Sequence, residues 1–288
     1  ALVETYVNRL KAGSMNARPT LKIENLSAVT SKIDGENTLG QLTSFTAMEH
    51  AIKQAKEYGL AMATVNNSNH FGAAAYYSIM AAEENCIGIT MSNASPRLAP
   101  WGGLTPTYGN NPWSVAIPHN EFPVVLDIAN SVVAFSKILT ARKTGESIPS
   151  DWALTKEGEQ TTDPHIAELL LPFGGHKGYG VAFMVEALTG MLSGAAVGKE
   201  VGRYNSLEEG QNVGHTFIAI HVPTISDKEV FEERLQTFIS QLRESETLEE
   251  NQQIYLPGEI EEQIRQTRIK KGIPLPEETY TYLKEFDQ

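Results

Sequence analysis

Two short stretches of the chain hold residue types able to move a proton or seat an anion. The first, "NNSNHFGAAAYY" (residues 66–77), presents one imidazole, His70, just past an apolar run and follows it with Gly72 and three alanines. Histidine is the side chain best able to exchange a proton near neutral pH. Small residues let backbone come close to whatever sits beside the ring, and the start of a following helix offers unpaired N–H groups. The same spacing also fits a histidine that only packs a loop. The second stretch, "GGHKGYG" (174–180), sets four glycines around Lys177 at the head of a predicted helix. It is neither the Walker A nor the Rossmann glycine pattern. Backbone donors, the helix dipole and a full positive charge still favour a phosphate there, against the plain alternative of a turn with a solvated lysine. Asp127, in "LDIAN" (126–130), ends a predicted strand, where a carboxylate can meet ribose hydroxyls or cap a helix.

Periodicity supplies the elements that must hold these residues. Leu60–Val65 reads as a buried strand leading to His70, with a helix over Gly72–Asn85 and a strand over 86–93 after it. Upstream, Gln41–Gly59 reads as an amphipathic helix with Phe45, Met48, Ile52 and Ala55 on one face and Gly59 as its stop. Before it, "LKIENLSAVTSKIDGENTLG" suggests strands with a hairpin near Asp34-Gly35. Short strands follow in "WSVAIP" and "VVLDIAN", then a helix over Asn130–Gly145 and a long excursion, "GESIPSDWALTKEGEQTTDP". A helix in "VAFMVEALTGMLSG", a strand in "HTFIAIHVP" and charged helices over Asp227–Glu244 and Pro257–Gly272 complete the chain. This interleaving predicts an α/β protein with a mixed sheet rather than a doubly wound parallel one.

Composition narrows the function classes. The chain has 288 residues, and 41% hydrophobic with 20% charged residues is ordinary for a globular protein. A net charge of −12 with no basic patch argues against nucleic acid as a partner. No apolar run reaches membrane-spanning length and no signal peptide pattern is present, so a cytoplasmic enzyme without a membrane partner is expected. The single Cys86 excludes a disulfide framework. His50, His119, His165, His215 and His221 have no partners at ligand spacing, so no metal is expected. No G-x-S-x-G elbow supports a serine hydrolase.

Taken in order, "SNHFGAAAYY", "APWGG" with "YGNNP", "LDIAN", "IPSDWALTKEGEQTTDP", "LLPFGGHKGYGVAFMVEALTGMLSG" and "YLPGE" resemble the malate/L-lactate dehydrogenase family. That family also holds ureidoglycolate and sulfolactate dehydrogenases, diketogulonate reductase and a cyclic-imine reductase, and it is distinct from the Rossmann lactate and malate dehydrogenases. The resemblance runs from about Tyr6 to the end of the chain. It implies an oxidoreductase that moves a hydride between NAD, with NADP possible, and a small 2-hydroxy or 2-keto acid. It further implies a largely antiparallel, non-Rossmann sheet flanked by helices, and a homodimer. On this resemblance the proton-transferring histidine is His70. Nucleotide contacts fall on Asp127, Ile128, Ala129, His176, Lys177, Gly178, Pro257, Gly258 and Glu259, and substrate contacts on Tyr6, Asn93, Ala94 and Ser95.

Ser95, where ureidoglycolate enzymes of the family carry Asp, favours a malate or L-lactate type of substrate. The family's Ser-His-Gly motif and following Arg, which help hold the substrate carboxylate, have no counterpart in the sequence. Leu2 stands where the Arg would align, and the motif is expected upstream of Ala1. A helical unit of residues 1–20 with 224–288 and a central sheet unit of 21–223 are expected. The alternative from another class is a non-catalytic nucleotide-binding protein on the same fold.

Overall fold

The computed structural model describes residues 2–250 and 252–286. Helix α1 (Leu2–Ala12) precedes strands β1 (Ile23–Asn25) and β2 (Thr30–Asp34), then α2 (Gly40–Tyr58), β3 (Leu60–Ser68), α3 (Ala74–Glu83) and β4 (Cys86–Ser92). Strands β5 (Trp113–Ile117) and β6 (Val124–Ile128) lead into α4 (Phe135–Thr144) and the short pair β7 (Ala153–Leu154) and β8 (Leu169–Leu170). Helix α5 (His176–Glu186) continues through a π turn, Ala187–Met191, before β9 (Val213–His221). The chain closes with α6 (Val222–Ile225), α7 (Lys228–Arg243), α8 (Glu259–Lys271) and α9 (Glu277–Phe286).

The main sheet has the order β1-β2-β3-β9-β4-β5-β6. Only β2 and β3 run parallel, and every other pair is antiparallel. A strand rich in β-branched and aromatic residues suits a central, doubly covered position, and β9 takes that place between β3 and β4. Helices α2 and α3 cover one face, while α5 and the π turn lie on the other. The core under α2 and α3 gathers Ile33, Met48, Val65, Tyr77 and Phe217, all fully or nearly fully buried, each worth roughly 1.5–3 kcal/mol of apolar burial. A second core, with Leu98, Ile138 and Leu170, lies under the long 95–172 segment.

The mixed, largely antiparallel sheet flanked by helices is as expected, but several local expectations shift. The hairpin turns at 26–29, where the Leu26 amide donates to the Thr30 carbonyl, and not at Asp34-Gly35. Gly35 instead lies where β2 leaves the sheet, donating to the Asn66 carbonyl, and a Cβ there would stand 2.9 Å from that oxygen. Phe45 is 40% exposed, because the face of α2 against β3 and β9 is lined by Ala47, Met48, Ala51, Ile52 and Ala55. Strand β3 runs on to Ser68 through a bulge with Asn67 at φ 49°, and α3 starts at Ala74 because Gly72, at φ 87°, is left-handed. Helix α4 starts only at Phe135, and α9 has no counterpart in the sequence reading. Of the expected terminal unit, Ala1, Asn251, Asp287 and Gln288 lie outside the described residues.

Candidate active site

The polar residues ahead of His70 act as fasteners. Asn67 reaches Asp34 with its side chain and Asn212 with its amide, and the Ser68 hydroxyl meets Thr43 and His215. Asn69 is completely buried. Its Oδ1 accepts from Arg9 Nη2 at 2.9 Å and the Gln211 amide at 3.2 Å, while Nδ2 donates to the Thr38 carbonyl at 2.7 Å and Asn37 Oδ1 at 3.0 Å. That fills the carboxamide's hydrogen-bonding capacity. Next along, the His70 amide donates to Gln211 Oε1 at 2.8 Å. From the other side, a Cβ on Gly40 would stand 2.0 Å from the Asn69 carbonyl oxygen, so only glycine lets α2 approach this close.

The His70 ring is therefore held from its backbone outward. Its Nδ1 lies 2.6 Å from the Tyr6 hydroxyl, with the rings stacked at 6.1 Å, whereas Nε2 has no hydrogen-bond partner among the described residues and stays accessible. Burial lowers the His70 pKa, so the imidazole is neutral near pH 7, and burial raises that of Tyr6, keeping the phenol protonated. This is a base with one nitrogen held and one presented.

Beneath it, Phe71 stacks on His215 at 4.6 Å, and His215 sits between the Ser92 and Ser68 hydroxyls at 2.9 and 3.0 Å. Burial pushes His215 down to about 3. Because the unfolded imidazole titrates near ~6.5, the unfolded chain binds more protons between these values. Stability from the neutral, buried ring is then complete above about pH 6.5 and falls by about 1.4 kcal/mol per pH unit as the pH drops toward 3. Urea unfolding from pH 7 to 4 should show this slope in the wild type and a shallower one in His215→Asn; equal slopes would count against it.

A second set of residues forms around the edge of β6. Asp127 Oδ2 accepts from the Ala75 amide at 3.1 Å, capping α3, whose own first residues supply no side-chain cap. The 257–258 turn is tied to the same strand by the Val125 amide on the Pro257 carbonyl, at 2.9 Å. Between them lies a cavity of about 610 Å³ lined by Tyr76, Met80, Asp127, Gly258, Glu261 and Arg265, among others. The glycine-rich turn is tied to the segment that follows β6 by the Phe173 amide on the Asn130 carbonyl. Gly174 and Gly175 have φ of 58° and 64°, Trp101 packs on Gly175, and His176 and Lys177 are exposed, with Lys177 in no ion pair among the described residues.

Of the residues expected to contact a nucleotide, Asp127, Pro257 and Gly258 line this cavity; Ile128 and Ala129 end and follow β6 outside its lining, and His176, Lys177 and Gly178 lie in the first turn of α5. A Cβ at Gly180 meets nothing within 4 Å and one at Gly174 only Lys177 Cβ at 3.9 Å, whereas one at Gly178 would stand 2.2 Å from the Phe173 carbonyl oxygen and one at Gly175 3.1 Å from the Trp101 ring, so the turn is open on its Gly174 side, where a phosphate would fit, and packed on the other. Glu259 differs: its carboxylate accepts from the Leu256 amide and pairs with Arg243, holding the start of α8.

In the 93–95 loop, Asn93 is buried, donating to Glu186 Oε1 and the Ala196 carbonyl while accepting from the Gly214 amide. The Ala94 amide donates to Asn111 Oδ1, and the Ser95 hydroxyl donates to the Gly202 carbonyl. The Gly202 carbonyl also accepts from Gln211 Nε2 at 3.5 Å, which links this loop to the side chain that holds His70. Arg9, Gln211, Trp101 and Glu186 were all missed by sequence reasoning. The Glu186 carboxylate is held by Asn93, Asn111 and the Gly198 amide. Only "VEALTG", a lone acid inside an apolar helix, signals such an anchor.

The mixed, largely antiparallel sheet that carries a strand-end imidazole and a glycine-rich turn is not a Rossmann sheet. The family profile described as malate/L-lactate dehydrogenase matches residues 1–284, and the chain belongs to that family. It is 38% identical over 283 residues to a malate dehydrogenase of Pyrococcus horikoshii, covering 95% of this chain and 78% of that one. It is 40% identical over 282 residues to an L-sulfolactate dehydrogenase of Methanocaldococcus jannaschii, covering 97% and 81%. The solved structure of sulfolactate dehydrogenase from Methanocaldococcus jannaschii superposes with a TM-score of 0.91 at 39% identity, over 98% of this chain and 82% of that one. Relatives named for NAD(+) and for NADP(+) both occur.

Proposed function

We propose that the protein interconverts a small 2-hydroxy acid of the malate or L-lactate type and its 2-keto acid, with NAD as the cofactor. The observation that carries this reading is His70, held through Nδ1 by Tyr6 and open at Nε2. In oxidation the neutral imidazole takes the hydroxyl proton on Nε2 as the carbinol C–H bond breaks; in reduction the imidazolium returns it to the carbonyl oxygen. The bound nicotinamide supplies the hydride acceptor and donor. Tyr6 and the 93–95 loop flank the substrate, and Ser95 leaves that loop without a carboxylate. The central unit, residues 21–223, carries the site together with Tyr6 and the 257–259 turn.

The preference for NAD is supported by charge. Asp127, Glu261 and Glu262 line the cavity beside β6, and burial, with the nearby Glu261 charge adding to it, raises the Asp127 pKa. Among the described residues lining the cavity the one cation, Arg265, is already bonded to Glu262 at 2.6 and 3.0 Å. A ribose diol can donate to such carboxylates, while a 2′-phosphate is repelled by them. Lys177 and the glycines around it bind the pyrophosphate, so Lys177→Ala should raise the dissociation constant of NADH by about tenfold, the loss of one charge-assisted bond. Fluorescence titration checks this, and an unchanged constant removes Lys177 from the site.

The apolar stripe Phe183, Met184, Leu188, Met191 and Leu192 along α5 and the π turn is exposed, which supports a homodimer; sedimentation at the monomer mass at micromolar concentration would contradict it. No described helix is long and apolar enough to cross a membrane. The functional test is reduced-nicotinamide absorbance with a panel of 2-keto acids and both cofactors. Faster decay with NADH than NADPH, on pyruvate or oxaloacetate, is expected. Decay with neither cofactor on any acid would favour a non-catalytic nucleotide-binding protein.

A further inference from the structure

Glu186 closes α5 and is buried, with no cationic side chain paired to it among the described residues. Its carboxylate is met by neutral donors instead. Oε1 accepts from Asn93 Nδ2 at 3.1 Å and from the Gly198 amide at 2.8 Å, and Oε2 accepts from Asn111 Nδ2 at 2.6 Å. Each Nδ2 gives its second proton to a carbonyl, Ala196 at 2.8 Å and Ala182 at 3.0 Å. Carbonyls and carboxylates only accept, so both asparagines must face Glu186 with their NH2 ends. That leaves Asn111 Oδ1 to accept from the Ala94 amide at 3.1 Å, and Asn93 Oδ1 from the Gly214 amide at 2.9 Å. Directly after Glu186 the helix widens into the π turn, a distortion frequent at functional sites. The turn sets Gly190 against the same loop, where a Cβ would stand 2.7 Å from Asn93 Nδ2, and a Cβ on Gly109 would stand 2.3 Å from the Ala94 carbonyl oxygen.

We propose that Glu186 is a positioning residue for the substrate, fixing through Asn93 and Asn111 the backbone of the 93–95 loop. The inference rests on reading that loop as a substrate contact. The acceptor count explains why an acid is buried here at all. Taking a carboxylate out of water carries a cost that a neutral glutamine would avoid. A glutamine, however, has only one accepting end. Its NH2 end would face a donor, either Asn111 Nδ2 on one side or Asn93 Nδ2 and the Gly198 amide on the other. In the first case Asn111 must turn over or move off, and the Ala94 amide loses its acceptor. In the second, Asn93 loses its own place in the loop. Among side chains of this length only a carboxylate answers all three donors, and it does so through charge-assisted bonds.

The test is steady-state reduction of the 2-keto acid at saturating NADH, with NADH affinity titrated alongside. Glu186→Gln should raise KM about tenfold while kcat changes less than about threefold, the pattern of binding lost equally from ground and transition states. The NADH dissociation constant should stay within about twofold, because Lys177 lies at the other end of α5. Asn111→Asp alone sets two carboxylates against each other and should also raise KM. Combining Glu186→Gln with Asn111→Asp transposes amide and acid: the new amide donates to the new carboxylate, which still accepts from the Ala94 amide. The double variant should therefore bring KM back to within about threefold of the wild type. A wild-type KM in Glu186→Gln, a double variant no better than the singles, or an NADH constant that rises with KM overturns the proposal. Amide exchange in the wild type gives a check independent of variant folding. The Ala94 amide should exchange as slowly as those of β4, and exchange at the rate of an exposed loop overturns the proposal. Ser95→Leu isolates the underlying reading: an unchanged KM there removes the loop from the substrate site. A raised KM there beside an unchanged one in Glu186→Gln overturns the role of Glu186 alone.

Discussion

His70→Ala is expected to cut turnover by about 10²–10⁴-fold, the usual contribution of a positioned acid–base group, while leaving NADH affinity within about twofold. The separation follows from geometry. The imidazole is presented at the strand end with Nε2 open, whereas Asp127, Lys177 and Gly258, the proposed cofactor contacts, make none of its hydrogen bonds. The backbone that carries His70 is secured by Asn69, Gln211 and the close approach of Gly40, none of which involves the imidazole. Truncation should therefore leave the loop in place, and thermal unfolding should change little. Comparison of kcat with the dissociation constant, on a variant of unchanged melting temperature, checks this. Retained turnover removes His70 from the chemistry.

The largest expected stability effect lies at Arg9. Its guanidinium is fully buried and meets five neutral oxygens: Ser14 Oγ, Asn69 Oδ1 and the carbonyls of Ser14, Tyr204 and Glu209. Through them one side chain joins α1 to the His70 loop and to the 202–211 loop. Burial lowers its pKa, which marks the cost of holding a cation there. Arg9→Ala strips several buried carbonyls of their donor at once, and a loss of about 3 kcal/mol is expected. Arg9→Lys should recover little of it, because one ammonium cannot span acceptors that a planar fork reaches. Urea midpoints measure both; a loss below about 1 kcal/mol for Arg9→Ala would contradict the keystone role.

The same contacts explain what could be read from sequence. His70 and Lys177 stand out because imidazole and lysine among glycines and alanines carry their chemistry in residue type and local spacing. Strands β3, β4 and β9 are legible for a similar reason, being runs of β-branched and apolar residues. Asn69 offered no such signal: its partners are 60 and 142 positions away in the chain, and a buried asparagine looks like a loop asparagine until they are in place. Gln211 shares this property, its side chain accepting from the His70 amide 141 positions away. The insertion of β9 between β3 and β4 is likewise non-local, and it alone puts His215 under Phe71. The misplaced hairpin has the opposite cause. Asp34-Gly35 has strong local turn character, yet it serves to bring the chain past Asn66 rather than to reverse it.

The most direct test of the account is the pH profile of hydroxy-acid oxidation with saturating NAD, in the wild type and in His70→Asn. The base must be unprotonated to act, so the rate should rise with pH through the His70 pKa and then level off. Burial places that pKa below the ordinary value of ~6.5. The account predicts a single acid limb below that value in the wild type, and in His70→Asn a low rate with no limb. A limb that persists unchanged in the variant would assign the proton to another group and contradict the account at its centre.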